Sequence, residues 1–145
     1  MSIAYNLKKE IELAIVVWDG EVTFTQWMEN SKQITTDPNI TSTSMQVVDL
    51  RFASIDPSIS ENEFQEIINY LSLYKQLFSG RKIAVIADEE FGRATVFKHM
   101  AQTLGVSFIV FNDLLIACHW LGVDAGIVEQ EIERLRAQLR QAGKV

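Results

Sequence analysis

Hydrophobic and polar positions alternate from the start of the chain. Ile3 to Leu7 reads as a short strand and Lys8-Lys9-Glu10 as a polar turn, after which Ile11, Leu13, Ile15 and Val17 interleave with Glu12, Ala14, Val16 and Trp18. A period of two marks a strand, so the two segments predict an antiparallel hairpin that Asp19-Gly20 brings to an end. Met45 to Leu50, Lys82 to Ala87 and Val106 to Phe111 are three further short apolar runs. The Lys82–Ala87 run is mostly apolar, as a central strand of a parallel sheet is.

Between the strands the period lengthens to that of a helix. Thr23 and Gln26 have the spacing of a capping box ahead of a helix over Phe24–Thr35, which Asp37-Pro38 stops. Ser60 and Glu63 repeat the device ahead of a second helix whose apolar face is Phe64, Ile67, Ile68, Leu71, Tyr74 and Phe78, closed by Gly80. Asp88 is placed to cap a third helix running to Leu104 and closed by Gly105. Asn112 is placed to cap a short fourth helix over Asp113–Leu121 that ends at Gly122. From Asp124 to Ala142, Val128, Ile132, Leu135 and Leu139 form a narrow stripe, with Glu131–Arg134 and Glu133–Arg136 spaced for ion pairs. The stripe is too short for an independent coiled coil and predicts docking either on the chain's own sheet or on a second copy.

Strands interleaved with helices imply crossover connections and largely parallel pairing. The chain therefore reads as a single α/β domain over residues 1–122, with a mixed, mostly parallel sheet of about five strands. An amphipathic helical extension follows over residues 123–145.

Composition narrows the function classes. The chain has 145 residues, 48% of them hydrophobic, enough to build a core without disulfides or metal. Cys118, the single cysteine, lies inside "LLIACHWLG" and reads as a buried thiol. Met1 to Asn6 lacks the basic-then-apolar pattern of a secretory leader, and no apolar run approaches the roughly 20 residues that cross a bilayer. A cytoplasmic protein of bacterial type, without membrane insertion, is the expectation. The net charge is −6, and Lys8-Lys9 and Arg81-Lys82 are isolated basic pairs, so nucleic acid is not an expected partner.

No pattern of catalytic residues emerges. There is no Gly-x-Ser-x-Gly elbow and no Gly-x-Gly-x-x-Gly turn. "SGRK" at Ser79–Lys82 follows a helix and enters a strand, the reverse of the phosphate-loop order, and reads as a cap followed by a solvated strand start. His99 and His119 lie on helices among apolar residues and read as half-buried histidines, which leaves no metal site. Asp88-Glu89-Glu90 stands where α/β proteins tend to place ligands, but a first helical turn also selects acids for its dipole. Asp49 and Arg51 flank Leu50 at the end of the third strand. Asp49 reads as fixing the following loop through bonds to backbone or arginine, and Arg51 as either an anion or partner contact. No catalytic residue, cofactor or metal is assigned.

Three stretches carry a resemblance: "WDGEVT" after the opening hairpin, "VVDLRFASID", and "KIAVIADEEFGRATVFKHMAQTLGVSFIVFNDLLIACHWL". Together they resemble the STAS family (sulfate-transporter and anti-sigma-factor-antagonist domains), in its divergent stand-alone SpoIIAA-like branch, over nearly all of Ile3 to Leu121. The resemblance implies a compact α/β domain that binds proteins and does no chemistry. Regulatory members carry a phosphorylated serine, often in Asp-Ser-Ser/Thr-Gly, at the start of the helix after the third strand. Setting Asp56 on the motif's aspartate puts Pro57 on the phosphoserine position, Ser58 on the next, and Ile59 on the glycine. The usual phosphoserine is therefore missing, and Ser58 is the substitute candidate for phosphorylation.

The expected function is thus a non-catalytic protein-interaction module, with Asp49, Arg51, Asp56, Ser58 and Ser60 as partner-binding residues. Its partner is another protein or a second copy in a homodimer. The alternative is a small apolar molecule or lipid held in a cavity between sheet and helices, lined by aromatics such as Phe64, Phe97, Phe108, Phe111 and Trp120.

Overall fold

The structure is a computed structural model that describes residues 2–143. Its five strands are β1 (Ile3–Lys8), β2 (Leu13–Val22), β3 (Met45–Ile55), β4 (Lys82–Ile86) and β5 (Ser107–Phe111). The helices are α1 (Phe24–Thr36), α2 (Glu61–Ser72), α3 (Lys75–Phe78), α4 (Phe91–Met100), α5 (Leu114–Leu121) and α6 (Ala125–Ala142). Strand order in the sheet is the order in the chain, with β1 antiparallel to β2 and every later neighbour parallel. The expected α/β class, opening hairpin and mixed sheet are all present.

That strand order decides where the helices go. Parallel crossovers are right-handed as a rule, and here each new strand is added on the same side of the last. All three crossovers must then pack on one face of the sheet. That face buries Val16, Trp18, Val48, Leu50, Ile83 and Val85 under α1, α2 and α4. The other face, with Leu13, Ile15, Val17, Val47, Ala84 and Ile86, is left for the end of the chain. α5 and α6 cover it, and the α6 stripe of Val128, Ile132, Leu135 and Leu139 is buried there. The stripe docks in cis.

Both capping boxes form, Thr23 with Gln26 and Ser60 with Glu63. Other boundaries differ from the expectation. Asp19-Gly20 does not end β2: the strand runs on to Val22 with Gly20 at φ +72°, and β3 runs beside it to Ile55. The register passes from Val17 opposite Asp49 to Asp19 opposite Phe52, so β3 carries one extra residue in a bulge. An Asp-Gly pair that would make a turn in isolation is here the soft point of a long strand. The second helix breaks after Ser72, whose hydroxyl donates to the Asn69 carbonyl at 2.7 Å while Leu73 N–H reaches back three residues to Tyr70. Asp88 does not cap α4: its backbone carbonyl accepts from Phe91 N–H, and the helix starts two residues later than its side chain could serve. Asp113, not Asn112, caps α5. Among the described residues no helix is long and apolar enough to cross a membrane.

Candidate functional site

The bulge in β3 sets the first cluster. Strand alternation would send Arg51 and Phe52 to opposite faces, but the extra residue lets both reach α6. The Arg51 guanidinium binds Asp49 and Glu129, and the Phe52 ring lies 4.3 Å beneath the Arg136 guanidinium. Asp49 is wholly buried. Its carboxylate accepts from Arg51 N–H (2.9 Å), Nε (2.9 Å) and Nη2 (3.0 Å), and from Arg136 Nη2 (2.6 Å). Asp49, through its hydrogen bond, holds Arg51 above the ordinary arginine range. Glu131 pairs with Arg134 at 2.6 Å as the spacing suggests, but Glu133–Arg136 does not form because Arg136 turns inward to Asp49. Both partner-binding candidates of this strand are thus committed to contacts inside the chain.

The loop after β3 holds Asp56, Ser58 and Ser60. Asp56 accepts from Ser58 N–H (2.9 Å) and from its hydroxyl (2.8 Å), and these bonds lower the carboxyl's pKa. Ser60 caps α2. Ser58 and Ser60 are exposed. The loop's other polar groups are held by Arg93 of α4, a residue that no motif or spacing singles out. Arg93 donates to the carbonyls of Ile55 (2.8 Å), Asp56 (3.1 Å) and Ile59, and it rests on the Phe64 ring at 5.4 Å. Asp49 and Arg51 lie on the α6 side of the sheet and this loop at the end of β3, so the five expected residues form two separate groups.

Arg93 also lines a cavity of about 110 Å³ between the sheet and α1, α2 and α4. Val16, Trp18, Val48, Leu50, Ile83 and Val85 make its floor, and Trp27, Ile34, Phe64, Ala94 and Phe97 make its roof. The aromatics meet edge-on or tilted, with Trp27 at 5.4 Å from Trp18, 5.4 Å from Phe64 and 5.0 Å from Phe97. Edge-on and offset contacts at such distances are the arrangements that aromatic pairs prefer. Phe64, Phe97 and Phe108 line the cavity as expected, whereas Phe111 and Trp120 pair with each other on the opposite face. Asn30, Ser31 and Gln46 are its polar lining beside Arg93, and the buried Trp18 Nε1 has no acceptor.

The remaining candidates disperse. Asp88 and Glu89 are exposed, and Glu90 is spent on Ile55 N–H (3.3 Å) and Arg93 (3.8 Å). His99 and His119 are exposed, not half-buried: helix periodicity turns both outward from the sheet. No cluster of metal-ligating side chains occurs among the described residues. Cys118 is buried, and burial, with the charges of Glu129 and Asp124 adding to it, pushes the thiol up to about 11. A thiol of that pKa is almost wholly protonated at pH 8, so its labelling by a disulfide reagent should run at least about a hundredfold slower in native protein than in urea.

Comparison with known proteins bears on the fold. No protein-family model and no curated protein matches the chain. Among solved structures it is similar to an uncharacterized protein of the DUF3478 family from Shewanella loihica PV-4, described as having a SpoIIAA-like fold. The two are 15% identical and superpose with a TM-score of 0.56 over 83% of this chain and 94% of that one.

Proposed function

We propose that on its SpoIIAA-like fold this chain is a non-catalytic binding domain that takes a small apolar molecule into the cavity between the sheet and α1, α2 and α4. The observation that supports the reading is the cavity itself, about 110 Å³ framed by rigid aromatics and carrying few polar groups. Pockets of that make-up are where proteins seat small ligands. A panel of short-chain and aromatic apolar compounds tested by thermal shift checks it. A ligand at a hundred times its Kd should raise the melting temperature by roughly 5–10 °C. Ala94→Leu should abolish that rise while leaving the protein folded, because Ala94 is buried in the cavity wall and the added carbons fill it. A rise that persists in Ala94→Leu would place the ligand elsewhere, and no rise with any compound would sink the reading.

A second reading, a protein-interaction module working through the loop from Asp56 to Ser60, is favoured by the exposure of Ser58 and Ser60 beside a loop held in one shape by Arg93. Phosphate on Ser58 would lose the bond to Asp56 and face its carboxylate at close range, so modification there would open the loop. Partner capture by the native protein but not by Arg93→Ala would support this reading.

A further inference from the structure

By its sequence position Arg81 belongs to a solvated strand start, but the structure buries it. It is 2% exposed. It immediately precedes β4, and alternation with Ile83 and Val85 puts it on the cavity side of the sheet. Its Nη2 donates to Gln46 Oε1 at 2.8 Å, and its guanidinium lies 5.5 Å from the centre of the Phe78 ring. Gln46, Phe78 and Ile83 all line the cavity. Arg81 itself stands just behind the lining, bonded to one wall residue and stacked on another.

Its charge is unmatched. Arg51, Arg93, Arg134, Arg136 and Arg140 each pair with a carboxylate, and among the described residues Arg81 does not. Its Nε and Nη1 are buried without acceptors. Burial lowers its pKa to about 10, which still leaves it protonated at neutral pH. A buried cation with no counter-ion is among the most unfavourable arrangements in a protein interior. The third orphan on this face is Trp18 Nε1, which is also a donor. The orphaned buried groups on this face, Arg81 Nε and Nη1 and Trp18 Nε1, are thus all donors, so a molecule that satisfies them must bring acceptors. One that also cancels the charge must be an anion.

We propose that the cavity's ligand is an apolar monocarboxylate, a short-chain fatty acid, whose carboxylate pairs with Arg81 beside Gln46 while its hydrocarbon lies among the rings. This rests on the cavity reading above and names its ligand class. The volume suits such a molecule: an engineered apolar cavity of roughly 150 Å³ holds benzene, so about 110 Å³ takes a hydrocarbon of about four carbons. A planar guanidinium with free donors matches a carboxylate's paired oxygens, and a charge-assisted bond in a dry site is among the stronger polar contacts.

Pentanoate, pentanol and pentylamine are of one length and differ in head group. Titrated into the full chain by calorimetry at pH 7, pentanoate should bind about tenfold tighter than pentanol, and pentylamine should be the weakest. In Arg81→Met the pentanoate preference should vanish while pentanol binding stays. Equal binding of pentanoate and pentanol to native protein, lost in Ala94→Leu, would overturn the anion site and leave the cavity reading standing. A pentanoate preference that survives in Arg81→Met would put the carboxylate elsewhere and overturn it too. Failure of all three to bind overturns both readings. Should Arg81→Met not fold, carbon NMR of carboxyl-labelled pentanoate on native protein decides: paired with Arg81, the bound acid must titrate at lower pH than the free acid, and an unshifted or raised titration would overturn the pairing.

Discussion

Replacing Asp49 with alanine should destabilise the protein by about 3–5 kcal/mol, measured as a fall in the urea midpoint at unchanged slope. Asp49 is the single carboxylate shared by Arg51 and Arg136, and it is fully buried under α6. Forming such a pair gains little, because desolvation offsets the attraction. Removing one partner is different, since Arg136 is itself buried, its Nε already lacks an acceptor, and its remaining contact with Asp19 is 3.7 Å long. Asp49→Asn should fall between, keeping one acceptor but not the charge. Arg140→Ala is the contrast: its pair with Asp19 involves a side chain 55% exposed, so the urea midpoint should barely move. Salt should separate them as well, screening the exposed pair and leaving the buried one nearly unchanged. An Asp49→Ala loss below about 1 kcal/mol would mean that the cluster does not hold α6 to the sheet. Asp49 and Arg51 would then be free to serve as the partner contacts that their sequence suggests.

The other large effect is truncation after Val123, which should yield no natively folded protein. Leu13, Ile15, Val17 and Val47 are all wholly buried, and α6 supplies the side chains that cover them. Full burial of Val128, Ile132, Leu135 and Leu139 contributes roughly 6–12 kcal/mol of apolar transfer free energy, against a total stability of about 5–15 kcal/mol for an ordinary domain. The truncated sheet would also present a continuous apolar face, a surface that associates with other chains. The expected result is an aggregating fragment that has lost its near-ultraviolet circular dichroism. Leu135→Asp in the full chain is the finer version, with an expected loss of more than about 4 kcal/mol from one buried, unpaired charge. A soluble fragment ending at Val123 that unfolds cooperatively would show α6 to be dispensable.

Several features were legible because they are settled within a few residues. The capping boxes at Thr23/Gln26 and Ser60/Glu63 join groups three positions apart, and both form. Gly122 ends α5 at φ +76°, and Gly105 ends the 3-10 turn Ala101–Leu104 that follows α4 at φ +74°, a backbone shape that suits a residue without a side chain. The alternation of β2 and the stripe of α6 reflect which side of an element is wet, a constraint written at every second or fourth residue.

What could not be read lay between residues far apart. The bulge at Val17–Asp19 exists because β2 and β3 lengthen against each other, and it carries Arg51 and Phe52 to one side together. Arg136 prefers Asp49, 87 residues away, to its helical neighbour Glu133, because docking α6 makes a buried carboxylate available. Arg93 meets its three carbonyls, and Arg81 its isolation, only once the crossovers have stacked α4 and β4 beside β3. The chain's own pattern therefore determined the elements, their class and the face each one buries, since periodicity and capping are local. Tertiary structure alone decided which charges were matched, which was left without a partner, and where the aromatics left a gap. Those outcomes depend on the distances between elements, and no spacing within one element encodes them.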